Sequence, residues 1–249
     1  MSVNRNEIIK FCEEYLKVDS FEDYCVNGLQ VEGVEKVNKI ITGVSLSQKL
    51  IEEAVNKKAK MIIVHHGIFS RDIVSPLKLK GVWRNRLKLL LENNINLAGF
   101  HLPLDAHPEI GNNVGLCKLL GIKNIKSFFV GFWGELEKPI KLEEFVNKVD
   151  ESLNTNSFVL KNNNKKVHKI GVVSGGAPEA ICEAADLGVD VYLTGEIKES
   201  IVRTSEELKV NFVAAGHYNT EKLGVQNLGK KIVEKFGIKV EFIDIPCDV

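Results

Sequence analysis

The chain has 249 residues, 44% hydrophobic and 27% charged, a composition that suits one large α/β domain or two ordinary ones and excludes collagen-like, low-complexity and strongly disordered classes. Lys+Arg and Asp+Glu number 33 each, so there is no whole-molecule basic field to attract nucleic acid or anionic lipid, and only a local patch could do so. Apolar runs such as Met61 to Val64 are strand-sized, far below the roughly 20 residues of a membrane span, and the opening MSVNRNEIIKFCEE carries charges where an export signal needs an apolar stretch, which makes the cytoplasm the expected compartment.

In chain order, an amphipathic helix is predicted over Asn4 to Lys17. Strands are predicted at Lys39 to Val44, Lys60 to Val64, Asn96 to Phe100, Phe128 to Trp133, Lys169 to Val173, Asp190 to Leu193, Asn211 to Ala214 and Lys239 to Ile243. Helices fill the gaps at Ser47 to Lys57, Val82 to Glu92, Leu142 to Leu153, Pro178 to Asp186, Lys198 to Leu208 and Glu221 to Lys235. The Asn-rich and Lys-rich stretch Asn154 to Lys166, with Phe158 to Leu160 inside it, reads as a surface hairpin or connector. Alternating strands and helices predict an α/β fold of two related lobes with mainly parallel sheets, residues 1–123 and 124–249, with C-terminal elements free to pack back on the first lobe and a ligand crevice between the two.

The chemistry gathers at strand ends. MIIV runs into His65-His66, INLAGF into His101 and NFVAAG into His217, and an acid follows at four residues in HLPLD (Asp105) and HYNTE (Glu221). Side chains just past the carboxyl ends of parallel strands can meet although far apart in sequence. His and carboxylate without cysteine suits Zn, Mn, Fe or Ni better than a structural thiolate site, and this many ligands overfill one tetrahedral ion, so two ions with Asp105 bridging are expected. Plainer roles compete: Asp105 before Ala106-His107-Pro108 also suits a turn organiser, and Glu221 a helix first turn. His107 reads as a loop residue or a group behind the ligands rather than a ligand, and His168 as a surface residue. Gly175-Gly176 after a strand could cradle an anion or simply make a tight βα turn, and Glu196 could be a base, an outer partner or a helix-start acid. Lys78, Lys80, Arg84, Arg86 and Lys88 around Trp83 form an acid-free basic stretch, and Lys161, Lys165, Lys166 and Lys169 a second; both read first as solvated faces. The five cysteines, Cys12, Cys25, Cys117, Cys182 and Cys247, are scattered without a CxxC pair and are expected to be reduced and mostly buried.

The stretches NGLQVEG (27–33), VHHGIF (64–69), HLPLDAHPEIGNN (101–113), LTGE (193–196) and AGHYNTEKLG (215–224) resemble, in order and across nearly the whole chain, the Nif-three-like family, often named GTP cyclohydrolase 1 type 2. The resemblance implies a two-metal site made by His65, His66, Asp105, His217 and Glu221, with His101 similar to a nearby polar position. It also implies a ring-shaped homohexamer with metal sites facing a central cavity. The span 121–169 is too short for the middle domain that some members insert.

The expected function is metal-dependent hydrolysis of a nucleotide or small cyclic amide or amidine, of which GTP ring opening is the form the family name implies. Glu196 or His101 would move protons, and Gly175-Gly176 or nearby lysines would hold phosphate. The alternative is a ring-shaped protein binding single- or double-stranded DNA through its Lys/Arg stretches, with structural metals; zero net charge weighs against it.

Overall fold

A computed structural model describes residues 1–70 and 78–247. Its contacts divide the chain into two α/β units, the first made of Met1–Leu104 with Gly224–Ile245, the second built on Asp105–Leu223. Position 123/124, the boundary expected above, lies within the second unit, because Val114, Leu116, Cys117, Leu120 and Ile122 share a single core cluster with Phe132, Phe145 and Val172.

In the first unit β1 (Val3–Asn4) leads into α1 (Arg5–Leu16), capped by the Asn4 side chain, which accepts the Asn6 N–H at 2.8 Å. Strands β2 (Gly28–Val31), β3 (Lys36–Val37) and β4 (Lys39–Ser45) follow, then α2 (Gln48–Asn56), β5 (Met61–His66), α3 (Gly81–Glu92), β6 (Asn96–Gly99) and α4 (Leu102–Ala106). Ser47 starts α2 by accepting the Leu50 N–H at 3.2 Å, and Leu50, Ile51 and Ala54 are its buried face. Near the C-terminus come α10 (Lys222–Phe236) and β13 (Lys239–Phe242), numbered in chain order. The sheet order is β13-β4-β5-β6-β2, parallel throughout except that β2 runs antiparallel to β6. Helices on both faces explain why β5 reads as a continuous apolar run: Met61, Ile62, Ile63 and Val64 are fully buried.

The second unit contains α5 (Asn112–Leu119), β7 (Lys123–Phe128), β8 (Gly131–Ile140), α6 (Leu142–Leu153), β9 (Phe158–Leu160), β10 (Val167–Val172), α7 (Ile181–Asp186), β11 (Val191–Thr194), α8 (Glu199–Leu208), β12 (Asn211–Ala214) and α9 (His217–Thr220). Its sheet order is β7-β8-β10-β11-β12-β9. Strands β10, β11 and β12 form a parallel centre, and antiparallel strands flank it on both sides. Helix α6 buries Leu142, Phe145, Val149 and Leu153, one stripe at helical spacing.

Several expectations change here. Phe128 to Trp133 is not one strand: it holds the end of β7, the two-residue turn Phe129-Val130 and the start of β8, with Phe129 at φ 48°, a conformation that side chain does not advertise. The Asn-rich connector contributes an edge strand, since β9 pairs antiparallel with β12. His168 lies half-buried in β10 and not on the surface. Of the cysteines, none of which forms a disulfide, Cys12 and Cys117 are buried, with burial pushing the Cys117 thiol up to about 12, Cys25 is half-buried, and Cys182 and Cys247 are exposed. Among the described residues no helix is long and apolar enough to cross a membrane.

Candidate metal centre

In the first unit, β5 ends at His65 and His66 and β6 leads into His101, so the three imidazoles gather at the carboxyl end of one sheet. The His65 and His66 ring centroids are 4.6 Å apart, and that of His101 lies 4.9 Å and 5.5 Å from them. Strand alternation would separate neighbours, yet these two rings meet at the last two residues of β5, where the chain leaves the strand. Gln30 of β2 sets that exit: its Oε1 accepts the Ile68 N–H at 2.7 Å and the Phe69 N–H at 3.3 Å, and its Nε2 donates to the Val26 carbonyl at 2.6 Å. Gly67 makes the room, since a Cβ there would come within 2.2 Å of Gln30 Oε1. The NGLQ and HHGIF motifs are therefore two sides of one contact.

Each imidazole is held at Nδ1. His65 Nδ1 donates to the Phe100 carbonyl at 2.9 Å, fixing the tautomer that makes Nε2 its ligating nitrogen. His66 Nδ1 meets Ser45 Oγ at 2.9 Å. His101 differs: its Nδ1 is 2.9 Å from Asp23 Oδ1 and its Nε2 is 3.3 Å from the Tyr24 hydroxyl, so protein groups engage both ring nitrogens. Asp23 accepts four hydrogen bonds: the Cys25 N–H and His101 at Oδ1, the Asn27 amide and Leu102 N–H at Oδ2, each at 2.9 Å. Burial alone would raise its pKa, but these donors hold it well below the usual carboxylate range. Asp23, Cys25 and His101 lie close enough to suggest a cation site, yet a carboxylate so fully engaged serves to orient His101.

In the second unit β10, β11 and β12 deliver Ser174, Glu196 and His217 from the ends of neighbouring parallel strands. His217 opens α9, and Glu221 follows its last residue, at a junction before α10 rather than in a helix first turn. His217 Nδ1 is 2.5 Å from Glu196 Oε1 and its Nε2 is 3.1 Å from Glu221 Oε2. Burial acts to lower the His217 pKa, but Glu221 and then Glu196 outweigh it and lift the imidazole to about 9. Asp105, in α4, is 4% exposed; its Oδ1 accepts from the Asn112 amide at 2.8 Å and the Ser174 hydroxyl at 3.0 Å.

The glycine pair does not cradle an anion through Gly175, whose N–H donates to Thr220 Oγ1 at 3.0 Å. Gly175 makes space instead: a Cβ there would lie 2.0 Å from Glu221 Oε1 and 3.1 Å from His217 Nε2. His107 organises its own loop, Nδ1 accepting the Glu109 and Ile110 N–H groups at 3.2 and 3.3 Å. Lys169 sits over the Trp133 ring at 4.1 Å and Lys161 pairs with Glu143 at 2.8 Å, so that basic stretch is partly spent on structure. Sequence reasoning missed Asp23, Gln30, Ser45, Asn112 and Ser174; only the stretches NGLQ and GNN hinted at two of them.

The donor set fits divalent metal. It consists of imidazole nitrogen and carboxylate oxygen in mostly buried positions, and the second ring nitrogen of His65, His66 and His217 is held by a carbonyl, a hydroxyl or a carboxylate, as ligating histidines are. Fold and donors together define a mixed α/β protein with a possible His/Asp/Glu metal site. The chain belongs to the Duf34/NIF3 (NGG1p interacting factor 3) family, whose profile matches residues 3–248. It is 40% identical over 249 residues to a Haemophilus influenzae protein named GTP cyclohydrolase 1 type 2 homolog, covering 98% of each chain. It is 41% identical over 246 residues to an Escherichia coli K12 protein of the same name, covering 98% of this chain and 99% of that one. A solved structure described as protein ybgI, of unknown function, superposes with a TM-score of 0.95 at 40% identity, covering 99% of this chain and 100% of that one.

Proposed function

We propose that the protein binds two divalent metal ions, drawn from Zn, Fe, Mn and Ni, through His65, His66, Asp105, His217 and Glu221, and hydrolyses a nucleotide or other small cyclic amide or amidine. The single observation that carries this reading is that His65, His66 and His217 each have Nδ1 engaged by an outer partner, as metal-ligating imidazoles do. The relatives named GTP cyclohydrolase 1 type 2 homolog support the substrate class. Bound there, the ions supply Lewis acidity and a lowered pKa for coordinated water. The protein's share is positioning. Glu196 acts through His217, holding its ring, so it is a positioning residue rather than the base. His101, oriented by Asp23 and in reach of the Tyr24 hydroxyl, is the group that carries a proton to or from substrate. The test is turnover of GTP-like substrates by metal-loaded protein: His65→Ala or Asp105→Ala abolishes it, and a broad panel without turnover on fully metallated protein overturns the enzyme reading.

A second reading, DNA binding by a ring with structural metals, draws support from one feature. Lys78, Lys80, Arg84 and Lys88 are exposed on and just before α3, beside a part-exposed Trp83 against which Arg86 stacks at 5.6 Å. Under that reading Arg84→Ala, Arg86→Ala and Lys88→Ala together weaken oligonucleotide binding and flatten its salt slope, while His65→Ala leaves it intact. We propose a homohexamer, on family resemblance, working in the cytoplasm.

A further inference from the structure

Asp105 offers one carboxylate to the proposed metal pair, and the second unit specifies how. Its Oδ1 accepts two hydrogen bonds, from Asn112 Nδ2 at 2.8 Å and from Ser174 Oγ at 3.0 Å. A carboxylate oxygen has about two lone-pair positions, so these two donors fill Oδ1. Both donors are themselves fixed. Asn112 is fully buried and Ser174 is 6% exposed. Asn113 ties their backbones together: its Oδ1 accepts the Ser174 N–H at 2.6 Å, and its Nδ2 donates to the Asp105 carbonyl at 3.2 Å and the Val130 carbonyl at 2.9 Å. The arrangement is more elaborate than a turn needs, since it joins α4, the start of α5 and the loop after β10 around one side chain.

We propose that Asn112 and Ser174 are positioning residues that occupy Oδ1 of Asp105 and so make Oδ2 the oxygen through which Asp105 meets a divalent ion. The inference rests on the metal-binding reading above and refines it by naming the carboxylate oxygen of Asp105 that would be offered to a metal. Neither positioning residue touches an ion; they set which atom does and hold its direction.

The test is Mn2+ and Zn2+ affinity of the full chain, measured by competition with a chromogenic chelator, alongside thermal unfolding of the metal-free protein. Ser174→Ala removes one hydroxyl from a buried position and is expected to weaken Mn2+ binding by about 10- to 100-fold, the usual effect of losing an outer partner, with only the modest drop in metal-free unfolding temperature that one lost buried hydrogen bond brings. Ser174→Thr, which keeps the hydroxyl, restores the affinity; a merely structural role for the hydroxyl would move the unfolding temperature alone. Asn112→Ala is expected to weaken binding similarly, and should it fail to fold, the Ser174 pair of variants decides alone. Wild-type affinity in Ser174→Ala overturns this assignment and leaves the metal reading intact. Wild-type protein that binds neither Mn2+ nor Zn2+ overturns both.

Discussion

At the level of single residues, Gly175 shows how tightly the second donor set is built. Its φ of +67° lies in the left-handed region, and a Cβ would collide with Glu221 Oε1 at 2.0 Å. Gly175→Ala is therefore expected to cost about 1–2 kcal/mol from backbone strain alone and, because the clash falls on a proposed ligand, to lower metal content as well. Urea unfolding and elemental analysis check the two effects separately; a variant that is destabilised yet fully metallated would detach Glu221 from the metal. Asp23 carries a pH signature. Its folded pKa lies below the unfolded value, so the unfolded chain binds the extra proton and the stabilisation, present above about pH 4, is lost as pH falls further. Stability measured between pH 3 and 7 is expected to fall more steeply toward acid in wild type than in Asp23→Asn, which starts lower at neutral pH because His101 and two backbone N–H groups lose a charged acceptor.

At the level of elements, the turn after β5 hangs on one side chain from β2. Gln30→Ala leaves the Ile68 and Phe69 N–H groups without that acceptor, and Ile68 is 2% exposed, so a loss of about 1–3 kcal/mol is expected. The turn also aims the histidines, so the same variant is expected to bind metal more weakly; thermal unfolding and chelator competition measure the pair. Much of this was legible in the sequence. Strands β4, β5 and β6 announce themselves because a parallel strand covered on both faces reads as a mainly apolar run, and the histidines close β5 and follow shortly after β6. What supports the histidines was not legible, because the pairings are remote: Asp23 and His101 are 78 residues apart, Gln30 and Ile68 are 38 apart, and Ser174 and Asp105 are 69 apart. Local pattern does carry hairpin signals, yet Phe129 hid one, since an aromatic residue at positive φ follows no turn preference. Gly175-Gly176 misled in the opposite sense: the loop suits an anion by sequence, and its first amide is already given to Thr220.

At the level of the whole molecule, the proposal joins donors from residues 65 to 221 of the chain into one function, and it extends to assembly. Light scattering is expected to return a six-copy species whose mass does not change on dilution; a monomer at all concentrations would remove the ring on which DNA binding depends. The central claim, two divalent ions held by His65, His66, Asp105, His217 and Glu221, is tested most directly by elemental analysis of purified protein, with fold retention checked by circular dichroism. Wild type is expected to carry two equivalents per chain, and His65→Ala and Glu221→Ala each to lose at least one. Undiminished metal in both variants, with the fold intact, would contradict the account.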